Sequence, residues 1–275
     1  MSRHSGHGPL VAFTSFAIAG AGLIVSAASL EVAHHHLFPP ALVAGVLLQA
    51  LGLAVSLGHL GQKRRAALAM RGVGRSALSN EALLAPVALA CGALLTGMIV
   101  WGRQGTTAAL IAGVVNAAFL VSIGLVYRVG GQQTWRGASV LTPLTGGSAF
   151  GAIAIQALSV AGGILGMVLL LVVLDAAVFV QRWREVAAIR IPAASLTGSA
   201  MSHRDQLLGA RFVLLDVLPF VLLLAWPTPL AAAIAATGLL VDRVGFYALA
   251  LQRTTEHELA EVEEILISAR EPHKS

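Results

Sequence analysis

Eight apolar stretches divide the chain, near residues 10–30, 40–59, 82–101, 107–127, 144–161, 163–183, 207–226 and 229–251. About 20 helical residues cross the roughly 30 Å core of a bilayer, so each stretch predicts one transmembrane helix. Pro39-Pro40, Gly102 to Gly105, and Pro227 with Pro229 punctuate the short turns. Residues 144–183 run almost unbroken. A single helix there would be about 60 Å long, twice the bilayer core, so a break is placed near Gly162-Gly163.

The polar positions test that break independently. With eight helices, the N-terminus, the 58–84, 128–143 and 182–206 loops and the C-terminus share one face. That face collects seventeen of the eighteen Lys and Arg residues, leaving only Arg103 opposite. Merging 144–183 into one helix would split the charges eight to ten, with no bias. The charged face, with both termini, is therefore expected in the cytoplasm by the positive-inside rule.

Composition agrees with membrane residence. With 57% apolar and 11% charged residues and a mean hydropathy of +0.81, the chain is too apolar for a soluble domain of its length. Strict barrel-strand alternation is absent, so the expected fold is an all-α bundle of eight transmembrane helices. The bundle spans 1–252 and a tail follows over 253–275. In that tail Leu259, Val262 and Leu266 recur at helical spacing beside Glu256, Glu258, Glu261, Glu263 and Glu264. An amphipathic, acidic helix is expected there, suited to protein or solvent rather than to anionic lipid. The first apolar run is longer than a signal-peptide core, and no twin-arginine pair precedes it, so a retained first helix is expected.

Candidate chemistry gathers at the charged face. Residues 58–84 hold Lys63, Arg64, Arg65, Arg71 and Arg75 within thirteen positions, with His59 at one lip and Glu81 at the other. Ser79 or Asn80 is expected to cap helix 3, placing Glu81 in its first turn, where the helix dipole favours a carboxylate. A capping Glu81, and a His59 bonded to a loop carbonyl, are the plain structural roles for these residues. The functional alternative is quinone chemistry: a histidine can hydrogen-bond a quinone oxygen and take its proton, and a carboxylate can pass it to water. Single Cys91 cannot hold an iron–sulfur cluster, so any such cluster belongs to another polypeptide. The histidines, at 4, 7, 34, 35, 36, 59, 203, 257 and 273, avoid mid-span positions, which argues against a buried haem. The run His34 to His36 reads as a solvated turn, since adjacent helical residues do not share a face.

Ionisable residues also fall within the spans: Asp175, Asp216 and the pair Asp242-Arg243. Such groups are costly in lipid and face the bundle interior. Arg211 and Asp216, five residues apart, are poorly placed for an intrahelical pair. Asp216 is expected to pair with Arg243 first, and to line a proton path or quinone wall second. Tyr247, one turn from Arg243, is expected to face the same cavity.

The order HLG (His59 to Gly61), then Arg65, then Val73-Gly74, then S-x-LS-x-E (Ser76 to Glu81) resembles the membrane anchor subunit of the dimethyl sulfoxide reductase type of molybdoenzyme. Val126, Tyr127, Thr134, Trp135, Thr142 and Pro143, the RFVLL run from Arg211 and the RVGFYAL run from Arg243 resemble the same family, in the same order. The resemblance implies a haem-free, non-catalytic anchor that exchanges electrons with menaquinone or ubiquinone. It implies an iron–sulfur partner subunit and a molybdopterin catalytic subunit. It places His59 and Glu81 at positions implicated in menaquinol oxidation. Arg65, at the family's loop arginine, is expected to hold a quinone oxygen or a partner carboxylate. Arg243 and Tyr247 fall in the final-helix motif. Lys63, Arg64, Arg71 and Arg75 are expected to dock the partner. In the family's best-known members the charged face points to the periplasm, opposite to the charge bias here. Some relatives of the assembly oxidise an acyl-CoA such as phenylacetyl-CoA, which would suit a cytoplasmic face. A secondary transporter with buried acidic coupling residues is the alternative, although no internal repeat is visible and Pro219 offers the only strong candidate break.

Overall fold

A backbone in lipid must satisfy its polar groups within its own segment, so each long apolar run folds as one helix. The computed structural model describes residues 8–33, 39–59, 72–103, 105–128, 133–135, 137–159, 164–189, 203–226 and 228–249. Among these there is no strand. The helices are α1 (Gly8–Val32), α2 (Pro39–His59), α3 (Ala77–Val100), α4 (Thr106–Val126), α5 (Thr142–Leu158), α6 (Leu165–Ala188), α7 (Arg204–Ala225) and α8 (Pro229–Ala248). Seven are long and apolar enough to cross a membrane. The expected break near Gly162-Gly163 falls in undescribed residues, but separate helices on either side, ending at Leu158 and starting at Leu165, bear it out.

The eighth, α5, has only 17 residues, about 26 Å at 1.5 Å per residue. Fourteen of them are buried, so α5 lies inside the bundle, where it need not match the lipid thickness. Its small residues allow this. A Cβ on Gly147 would sit 3.0 Å from Ile18, and one on Gly151 would strike the Gly22 backbone, so α1 and α5 meet almost backbone to backbone. Ser26 Oγ of α1 donates to the Ser148 carbonyl of α5 at 2.9 Å. Helix α1 also packs on α2, α4 and α8 and is the most buried of the seven long spans. Outer helices turn apolar side chains outward instead, including Leu47, Leu94, Leu110, Leu170 and Leu224.

Alternation of direction sets the N-termini of α1, α3, α5 and α7 and the C-termini of α2, α4, α6 and α8 at one end. At the other end lie Arg103 and two exposed tryptophans, Trp101 (80% exposed) and Trp226 (73%), the ring type enriched where a bilayer meets water.

Two local expectations change. Helix α3 begins at Ala77 rather than near residue 82, with Ser76 as N-cap and no side-chain capping bond. Neither Ser79 nor Asn80 caps it. Asn80 Oδ1 instead accepts from Gly74 N at 2.7 Å, bracing the preceding turn, and Glu81 is carried past the first turn. Helix α7 does not break at Pro219. It widens to a π-helix over Val213–Val217 just before it. Proline lacks an N–H and crowds the carbonyl four residues back, and a wider turn relieves both defects. Gly238 of α8 fits against this turn: a Cβ there would lie 2.5 Å from Leu215 N.

Candidate functional site

The π-turn decides which charges meet. Residues five apart align on a π-helix, so Arg211 and Asp216 pair after all, Nη1 to Oδ2 at 2.5 Å. The expected partnership of Asp216 with Arg243 is therefore replaced. Arg211 Nη2 bonds Asp175 Oδ2 of α6 at 2.5 Å, and its Nε lies 3.6 Å from Asp242 Oδ1 of α8. Arg182 Nη1 bonds the same Asp242 oxygen at 2.7 Å. Arg243 takes the other oxygen, Oδ2, through Nε at 2.9 Å and through Nη2. Three guanidinium groups and three carboxylates thus balance formally within a buried cluster joining α6, α7 and α8. Thr145 of α5 donates to Asp175 Oδ1 at 2.6 Å, and Arg243 Nη2 lies 3.4 Å from Thr142 Oγ1. Buried ions persist only when paired and hydrogen-bonded. Ring faces add to this, with Arg211 4.3 Å from the Phe179 centroid and Arg243 4.9 Å from that of Phe246.

Toward the charged end the cluster meets an aromatic group. Trp135 stacks on Phe246 with centroids 5.2 Å apart and planes at 4°, and its Nε1 donates to the Phe246 carbonyl at 2.9 Å. Tyr127, at the C-cap of α4, stands edge-on to Trp135, Phe246 and Tyr247. The Tyr127 and Tyr247 hydroxyls are 2.5 Å apart. Burial raises the Tyr127 phenol above its ordinary range, so it stays a neutral hydrogen-bonding group. The loop carrying Trp135 is clamped beside it. Gly137 takes φ +62°, and the next amide, Ala138 N, donates to Glu185 Oε2 of α6 at 2.9 Å. A Cβ on Gly124 would collide with the Val140 carbonyl, so α4 and this loop touch closely.

Glu81 completes the site. It is 6% exposed, and its Oε1 has no hydrogen-bond partner among the described residues. Arg243 lies over the Phe246 ring, which stands edge-on to Tyr127 and Tyr247. One carboxyl group, two phenols and one guanidinium, drawn from α3, the end of α4 and α8, thus lie toward the charged end of the bundle.

His59 is the last residue of α2, at that same end; its side chain lies outside the described residues. Lys63, Arg64, Arg65 and Arg71, the run His34 to His36 and the tail 253–275 also lie outside them. Arg75 is exposed in the turn before α3 and lines a cleft of about 260 Å³ with Asn80, Ser122 and Arg128. Reading the residues alone missed Tyr127, Trp135 and Arg182 as parts of the site. Arg182 had a readable signal: Asp175, Phe179, Arg182 and Val186 recur at helical spacing and form the buried stripe of α6.

The family described as "DMSO reductase anchor subunit (DmsC)" matches residues 4–248 of the 275. The chain belongs to this family and is an integral membrane protein, the anchor subunit of a DMSO reductase-type complex with catalytic and electron-transfer partners. No curated protein matches it.

Proposed function

We propose that this anchor subunit exchanges electrons between the membrane quinone pool and an iron–sulfur partner, which in turn serves a molybdopterin catalytic subunit. The carrying observation is Glu81: a buried carboxyl group, free at Oε1 among the described residues, near the start of α3 at the end of the bundle that carries the Tyr127–Tyr247 pair. A quinol head group suits these residues. Its ring matches an aromatic wall, and its two hydroxyls need acceptors that can remove protons. Glu81 and His59 take the protons as the two O–H bonds break, and two electrons leave to the partner's cluster. Quinone reduction runs the same balance backwards. Arg243, Tyr247 and Arg65 hold the ring oxygens, and Lys63, Arg64, Arg71 and Arg75 dock the partner on the same end. Menaquinone and ubiquinone both fit this donor set.

Sidedness follows from the helix ends. His59 closes α2, Glu81 lies near the start of α3, and the basic loop joins them, so quinone and partner share one face. Among the described residues, the far halves of α6, α7 and α8 (165–174 and 217–236) carry no ionisable side chain. The buried acids therefore lie on no visible path across the membrane, which speaks against the transporter reading. The charge bias supports a cytoplasmic position for this face and both termini.

The test uses the assembled complex in membranes. Glu81→Gln and His59→Ala should each lower quinol-linked turnover by about 10²-fold or more, the scale of general acid–base catalysis. Activity with a soluble dye, and the amount of complex, should not change. Wild-type quinol turnover in both variants would refute the site.

A further inference from the structure

Arg243 reaches its place by an unusual route. It pairs with Asp242, its neighbour in sequence, although successive residues on a helix point about 100° apart. The Asp242 carboxylate is divided between two tasks. Oδ1 faces α6 and α7, accepting from Arg182 Nη1 at 2.7 Å with Arg211 Nε at 3.6 Å, while Oδ2, among the described residues, serves Arg243 alone. The charge cluster thus anchors one oxygen and leaves the other to draw the Arg243 guanidinium round the helix. Thr142 Oγ1 of α5 receives the same Nη2 at 3.4 Å, and the Phe246 ring that stacks on Trp135 lies against the guanidinium. That same Phe246 ring stands edge-on to Tyr127 and to Tyr247, with centroids 5.2 and 5.4 Å apart.

We infer that Asp242 and Thr142 are positioning residues of the quinol site: they hold the Arg243 guanidinium where a quinol oxygen meets the tyrosine pair. This inference rests on the function proposed above. Removing either holder leaves Arg243 present and charged but free to swing away, so the loss falls on quinol binding rather than on electron transfer.

The assay is steady-state turnover of the assembled complex with a water-soluble menaquinol analogue, together with fluorescence titration of a quinol-site inhibitor. Asp242→Asn should raise the quinol KM and the inhibitor Kd about tenfold, the scale of one hydrogen bond to a charged group. kcat and dye-linked activity should stay near wild type. Asp242→Glu should rescue in part. Thr142→Val, nearly isosteric, should raise both constants about threefold, and it decides the matter if Asp242→Asn fails to assemble. A purely structural role would lower the amount of complex while leaving KM and Kd unchanged per assembled complex, and that result overturns the inference. Glu81→Gln and His59→Ala, run in parallel, separate the two failures. If they abolish quinol turnover while the holders leave KM unchanged, only the positioning role falls. If they leave turnover intact, the quinol site falls with it.

Discussion

Replacing Arg211 by Met removes the cation that two carboxylates contact at 2.5 Å and a third approaches at 3.6 Å. Arg211 is 1% exposed, so the carboxylates lose it out of contact with bulk water. The cluster passes from three cations and three anions to two and three. Breaking a buried pair in this way costs about 3–5 kcal/mol, and the lost stacking on Phe179 adds about 0.5–2 kcal/mol. Proton uptake sets a ceiling on the electrostatic part. At pH 7, protonating a carboxyl group of ordinary pKa near 4 costs about 4 kcal/mol. The expected loss is therefore about 5 kcal/mol at pH 7. Because the folded variant must then bind a proton that the unfolded chain lacks, the loss should shrink by about 1.4 kcal/mol per pH unit toward pH 5. Adding Asp216→Asn restores a balance of two and two and should recover more than half of the loss. Steric-trapping unfolding in bicelles measures each variant directly. An Arg211→Met stability within about 1 kcal/mol of wild type, or simple additivity of the two substitutions, would refute the account of a balanced cluster.

Other consequences are equally open to measurement. Gly238→Ala should cost about 1–3 kcal/mol by the same assay, because its Cβ would lie 2.5 Å from backbone at Leu215; wild-type stability would mean α8 does not rest on the π-turn. Reversing Arg64 and Arg71 to Glu should release the electron-transfer partner from membranes, and normal retention would remove this loop from the docking surface. A C-terminal reporter should be active in the cytoplasm; periplasmic activity would restore the orientation of the family's best-known members.

The helices were legible because lipid demands long apolar runs, and the charge alternation resolved even the forty-residue stretch into α5 and α6. Glycine spacing, by contrast, did not announce that α5 would be central, since burial among helices and burial in lipid select the same apolar residues. The sequence places Glu81 in the first turn of α3, and the structure moves it. The helix starts five residues earlier than its apolar run, so the carboxyl group sits deeper than a capping role allows. The ionic pairs were misread because α-helical geometry was assumed around Arg211. A proline eight residues later reads as no more than a candidate break, whereas its relief as a π-turn is what brings Asp216 under Arg211. Tyr127 and Trp135 meet Tyr247 across 120 and 112 residues of chain, and no local pattern encodes that meeting. They surfaced only within a motif shared with the family.

Photolabelling with an azidoquinone in native membranes, followed by peptide mapping, tests the central claim most directly. Label on the segments that carry Glu81, Tyr127, Trp135 and Tyr247, suppressed by excess quinol analogue, is the predicted result. Specific label at the opposite end, on the segments that carry Trp101, Arg103 or Trp226, would contradict it.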